Sequence, residues 1–204
     1  MTLGRGLCPP PLSLARSPLD DLTEQASPHY INSTLRERIV EHVFVGEALR
    51  RLWQQGVTDV EVLRSEFDAG GYDLVMSYHR VTRHIQFKTK TLGGKTDEVK
   101  INLKLMDKPS GCIVWIVVTP DLLFDHYLWF GGKPGEPLPD ISRNMIAKHA
   151  KGNAQGEKAE RPNHRTIRIS KFEKLVSLDM VLERLFGALE QDQTAPVAPD
   201  RALG

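Results

Sequence analysis

Two cysteines in 204 residues are too few for a disulfide framework, and they sit in unlike surroundings: Cys8 in a Pro-rich leader, Cys112 at the head of an apolar run. A reducing compartment, the cytoplasm, is the expected setting. Long hydrophobic runs are also lacking. The longest clear one, residues 112–118, has the length of a buried strand and falls far short of the roughly 20 residues needed to cross a bilayer, so no membrane partner is expected. Neither sign of charge is in excess, since 27 Lys and Arg against 26 Asp and Glu leave a net charge of +1. Any contact with nucleic acid must therefore come from local patches. No repeat of about 20 to 50 residues recurs, which excludes solenoids and propellers. Pro9, Pro10 and Pro11 interrupt what would otherwise be a signal-peptide core. What remains, 40% hydrophobic and 26% charged, is the composition of a chain that buries an interior.

Prolines without a hydrophobic period mark residues 1–30 as a flexible leader and residues 190–204 as a flexible tail, leaving one domain over residues 31–189. Its core is expected over 35–118, with a basic extension over 131–189. Residues 33–55 predict a helix, capped by Ser33 or Thr34 and ended by Gly56, with Leu35, Ile39, Val40, Val43, Phe44, Ala48 and Leu52 inward. Period-two character predicts strands over 57–67, 72–78 and 82–88. Residues 96–106 repeat Val99, Leu103 and Met106 at helical spacing and predict a helix, although residues 99–103 also alternate as a strand would. The unbroken apolar run 112–118 predicts a central strand covered on both faces, placing Trp115 in the core. A strand over 122–130, a short edge strand over 166–169 and a closing helix over 178–189 complete the reading.

The hairpin over residues 72–88 concentrates polar groups on one side. With Arg80 and Val81 at its tip, Asp73 faces Lys88 and Gln86 projects from the same face, while Leu74, Met76, Ile85 and Phe87 form the apolar side. On the first helix, Glu47 continues the row Leu35, Ile39, Val43 and so falls on the apolar stripe, whereas Glu37 and Glu41 point away. A salt bridge from Glu47 to Arg50 or Arg51 is the simpler account of that acid. Asp73 as a turn-flanking residue with Lys88 as its cross-strand partner is the simpler account of the hairpin. Glu66 and Asp68 lie close enough to add a carboxylate.

Glu47, then Asp73 in Gly71-Tyr72-Asp73-Leu74, then Gln86 and Lys88 in Ile85-Gln86-Phe87-Lys88, in the order α, β, β, β, α, β, resemble the PD-(D/E)xK nuclease superfamily, and its Holliday-junction-resolvase-like branch most. The likeness covers residues 35–118. It implies a three-layer α/β/α restriction-endonuclease-like core with a central mixed sheet, here carrying C-terminal additions. It further implies Mg²⁺ or Mn²⁺ bound by Asp73, Glu47 and the residue at Gln86, with Lys88 activating or orienting water. Gln86 stands where the superfamily's second acid is expected.

The residue types suit that chemistry. Phosphodiester cleavage builds negative charge at phosphorus and needs a strong nucleophile near pH 7, and a hard divalent cation supplies both needs. One or two carboxylates plus substrate phosphate suffice for Mg²⁺. A basic set, Lys90, Lys95, Arg143, Lys148, Lys151, Lys158, Arg161 and Arg165, could contact phosphates. The expected function is thus a metal-dependent DNA endonuclease, with RNA as the alternative substrate and a two-fold dimer suited to cutting both strands. The rivals are a nuclease-fold module that binds without cutting and a protein-interaction domain.

Overall fold

A computed structural model of the chain describes residues 32–65, 67, 70–149 and 156–189. The leader and tail expected at the ends lie outside these, and so do Glu66, Asp68 and Lys151. Among the described residues two helices, α1 (Ser33–Gln54) and α2 (Leu178–Phe186), accompany nine strands. These are β1 (Glu61–Arg64), β2 (Leu74–Tyr78), β3 (Val81–Thr91), β4 (Glu98–Asn102), β5 (Gly111–Val118), β6 (Phe124–Gly131), β7 (Ile146–Lys148), β8 (Glu160–Arg168) and β9 (Glu173–Leu175). The fold is mixed α/β around a central six-stranded sheet of order β1-β2-β3-β5-β6-β9, in which only β3 and β5 run parallel. A separate three-stranded antiparallel sheet has the order β4-β8-β7.

The apolar run of β5 explains the layering. Cys112, Val114, Ile116 and Val118 pack in one cluster with Val40 and Phe44 of α1 and Val181 and Leu182 of α2. The alternate residues Ile113, Trp115 and Val117 pack in a second cluster with Val99 and Ile101 of β4 and Ile167 of β8. Successive strand residues point to opposite faces, so both helices cover one face of the sheet and the small sheet covers the other. The segment expected as a helix over 96–106 is therefore strand β4 followed by a 3₁₀ turn over Leu103–Leu105. Its alternating residues Val99 and Ile101, both buried, fit a flat partner and not a helical groove. The expected edge strand over 166–169 is likewise the end of the longer β8, which lies between β4 and β7.

On α1 the buried row is Val40, Phe44, Ala48 and Leu52. Leu35, Ile39 and Val43, expected inward, are exposed. The two rows lie about 100° apart on the helix, so only one can face the sheet, and the row that continues into Leu52 is apolar throughout. Gly56 ends α1 at φ +81°. Gly56 N–H donates to Trp53 O and Val57 N–H to Leu52 O, each at 3.0 Å, the paired bonds of a Schellman ending.

Ser177 caps α2, its Oγ accepting from Met180 N–H at 3.3 Å. Arg51 Nε and Nη2 donate to the two Asp179 carboxylate oxygens at 2.6 and 3.0 Å, tying α2 to α1. Ser177→Ala is expected to cost about 1 kcal/mol and to lower the melting temperature by about 2–4 °C in a thermal melt.

Candidate active site

The hairpin of β2 and β3 turns at His79 and Arg80, with Tyr78 paired to Val81 and Leu74 to Ile85. The expected tip at Arg80 and Val81 is corrected by one position and the register by two residues. His79 takes φ +49° there, a conformation its side chain tolerates better than β-branched Val81 would. Because the shift is even, the pleat keeps the same residues on each face: Ile85 and Phe87 pack with the helices, and Gln86 and Lys88 face the small sheet, beside Ile113 and Trp115 of the parallel neighbour.

The site lies where β2 leaves β3. Residues 81–85 of β3 pair with β2 and residues 84–91 pair with β5, so the later half of β3 has no β2 partner along one edge. Asp73, just before β2, occupies that gap. Its N–H donates to Ile85 O at 2.9 Å, and its Oδ2 accepts from Phe87 N–H at 2.7 Å. The carboxylate thus replaces a missing strand bond at Phe87, and with Leu74 paired to Ile85, Asp73 lies opposite Gln86 and not opposite Lys88 as expected. Gly71 allows the approach: it has φ +73°, and a Cβ there would lie 2.9 Å from Asn102 Cβ.

The acid that α1 sends toward Asp73 is Glu41, not Glu47. Glu41 directly follows Val40 of the buried row and is itself buried. Burial, and next the charge of Asp73, hold its carboxyl above the usual carboxylate range, although Arg38 and Arg64 pull the other way. Arg38 Nη1 donates to Glu41 Oε2 at 3.0 Å, and Arg64 Nη1 lies 3.6 Å from the same oxygen. Glu47 forms the simpler salt bridge, to Arg50. Its charge bears on Tyr127, whose phenol is pushed up to about 12, chiefly by burial. The sequence signal for Glu41 was its place beside the row that continues through Ala48 and Leu52; the competing row ending at Glu47 hid it.

A cavity of about 200 Å³ opens at this edge, lined by Glu37 and Glu41 of α1, Lys88 and Thr89 of β3, Thr96, and Trp115 of β5. Lys90 Nζ lies 5.9 Å from the centre of a Trp115 ring. Among the described residues no three His, Cys, Asp or Glu side chains gather as a metal-ligand group. Two neighbouring carboxylates are present, however, and Gln86, only 7% exposed, carries a buried Oε1 that accepts no hydrogen bond from the described residues. A buried acceptor without a donor costs roughly 1–3 kcal/mol, and oxygen ligands of this kind suit Mg²⁺. The residues fit the ion.

The basic residues divide into two kinds. Lys95, Arg143, Lys148 and Lys158 are exposed. Arg161 and Arg165 are half-buried and bound within the protein. Arg165 donates to Ser142 O at 2.9 Å and Pro162 O at 2.7 Å, and Arg161 Nη2 lies 2.7 Å from His164 Nε2. Lys100, of β4, reaches across the small sheet to the Lys148 carbonyl. Compared with known proteins, the chain matches no family model and no curated protein sequence.

Proposed function

We propose that the chain is a metal-dependent nuclease hydrolysing phosphodiester bonds in DNA, on a restriction-endonuclease-like core whose usual crossover helix is replaced by β4. The observation that carries this reading is the meeting of Glu41 and Asp73, two carboxylates from distant parts of the sequence, beside Lys88 at the unpaired edge of β3. Asp73, Glu41 and Gln86 would hold Mg²⁺ or Mn²⁺. When bound, the ion would lower the pKa of a coordinated water and neutralise charge at the phosphate.

The protein's own groups supply the rest. The Phe87 N–H fixes the Asp73 carboxylate, so no side-chain freedom is lost when substrate arrives. Lys88, a compact cation on the same strand, holds the attacking water or a phosphate oxygen. Trp115 supplies an apolar wall of the cavity. Exposed Lys95, Arg143, Lys148 and Lys158 contact phosphates away from the reacting centre.

A second reading, a module that grips DNA without cutting it, is favoured by Gln86, a neutral oxygen where a carboxylate would bind the ion more tightly. Supercoiled plasmid and labelled duplex, branched and single-stranded oligonucleotides, incubated with Mg²⁺ or Mn²⁺, separate the two. Cleavage is expected from the wild type and a loss of about 10²- to 10⁴-fold from Lys88→Ala. Salt-sensitive binding with no cleavage by the wild type would establish the module instead. The absence of both would overturn the proposal.

A further inference from the structure

The outward face of α1 carries a second apolar seam that no described residue covers. Leu35, Ile39, His42, Gly46, Leu49 and Trp53 follow one another at steps of four, three, four, three and four residues, the a/d spacing of a helix that packs along another helix. Leu35 is 60% and Trp53 70% exposed, and a Cβ built on Gly46 meets nothing within 4 Å. The seam points away from the buried row Val40, Phe44, Ala48 and Leu52, so the fold itself does not use it.

We infer that α1 is a homodimer interface, in which two copies of the helix pack antiparallel about a two-fold axis near residue 44. The seam is self-complementary in that arrangement and in no parallel one. Read in opposite directions, Leu35 meets Trp53 of the second copy, Ile39 meets Leu49, and His42 meets Gly46. The largest exposed side chain faces a leucine, and the bulkiest group at the centre faces the residue with no side chain. Each pair occurs twice, as an isologous interface requires.

The charges at the rim support a second copy over a charged partner. Arg38 is paired to Glu41 and Arg50 to Glu47, each within its own helix, so two like copies approach without bare like charges. From Leu35 to Trp53 the seam runs about 27 Å at 1.5 Å per residue. A single helix pair of that length reaches at most the roughly 800 Å² per partner of a standard interface. An interface built from one helix pair suits a reversible dimer that dissociates on dilution.

Sedimentation of the full chain from about 1 to 200 µM should show a monomer–dimer equilibrium. Gly46→Glu should shift dissociation at least tenfold by filling the space for His42. Gly46→Ala separates this from a folding defect: in an exposed helix it should raise the melting temperature, by about 0.5–1 kcal/mol of stability, while weakening the dimer. The pairing is read by cross-linking in a Cys8→Ser background. Ile39→Cys and Leu49→Cys chains should form covalent heterodimers under mild oxidation when mixed, and none when oxidised separately. A chain that stays monomeric at about 200 µM, whether its face is bare or covered by its own first residues, would overturn the inference, as would cross-links in the separate samples.

Discussion

Glu41→Gln is expected to stabilise the protein at pH 7 and at the same time to abolish most of its metal-dependent cleavage. Burial and the neighbouring Asp73 make the folded chain hold the Glu41 proton more tightly than the unfolded chain does. The stability this group gives is therefore complete below about pH 4.5, the ordinary value for the side chain, and is lost as pH rises through its raised value. At neutral pH the ionised acid is a net cost, which glutamine removes while keeping an acceptor for Arg38. A thermal melt at pH 7 should show a rise that shrinks toward pH 4.5. Cleavage should fall on the order of a hundredfold or more, since even the outer partners of metal ligands contribute 10- to 100-fold. Mn²⁺ should raise the melting temperature of the wild type and leave the variant unmoved, because a ligand that binds only the folded chain stabilises it by mass action. A variant that melts lower and still cuts would place Glu41 in the scaffold and not in the site.

Arg83→Ala is expected to be the most damaging single substitution for stability. Arg83 is fully buried on β3 with no carboxylate partner among its hydrogen bonds. Its Nε donates to Leu185 O at 2.7 Å, and its Nη2 donates to Arg184 O at 2.7 Å and Gly132 O at 3.1 Å. The guanidinium lies 5.3 Å from the centre of a Trp129 ring. Two of those carbonyls belong to the last turn of α2, where the helix dipole favours a cation. Desolvation lowers the Arg83 pKa, with the charges of Cys112 and Glu136 pulling the other way, and the three carbonyls take up Nε and Nη2 while Nη1 meets no acceptor among the described residues. Removing the side chain strands those acceptors and opens a cavity. A loss of about 2–5 kcal/mol is expected, or roughly 4–20 °C in a calorimetric melt. Arg83→Lys should recover only part of it, because one ammonium cannot repeat the planar fork. A loss below about 1 kcal/mol would show that α2 is held by its apolar face alone.

The parts of the molecule that could be read from sequence are those in which one physical demand dominated. β5 is apolar at every position because both of its faces are covered. The hairpin was visible because Leu74 and Met76, and Ile85 and Phe87, recur at period two, Val75 being the one apolar residue between members of a pair, and a register error of two residues left every side chain on its face. Residues 96–106 failed because Val99, Leu103 and Met106 satisfy a helical period while Val99 and Ile101 satisfy a strand period. Only the flat surface offered by Ile113, Trp115 and Val117 decides between them. Glu41 was missed for a related reason: α1 has two apolar rows, one for the sheet and one facing outward, and choosing the wrong row exchanges Glu41 for Glu47. Arg83 was not legible at all, since the carbonyls that satisfy it lie 49 to 102 residues further along the chain.

The crossover through β4 has a kinetic consequence. β4 lines the cavity beside Lys88 through Val99, yet among the described residues its only strand partner is β8 (Glu160–Arg168). A nascent chain that has completed the hairpin and β5 still exposes one side of its sheet until β8 emerges from the ribosome. Loop closure over that distance is slow compared with local turns. Assembly of the cleft is thus among the last events of synthesis, and a truncated chain would display an unprotected, sticky β-surface in place of a working pocket.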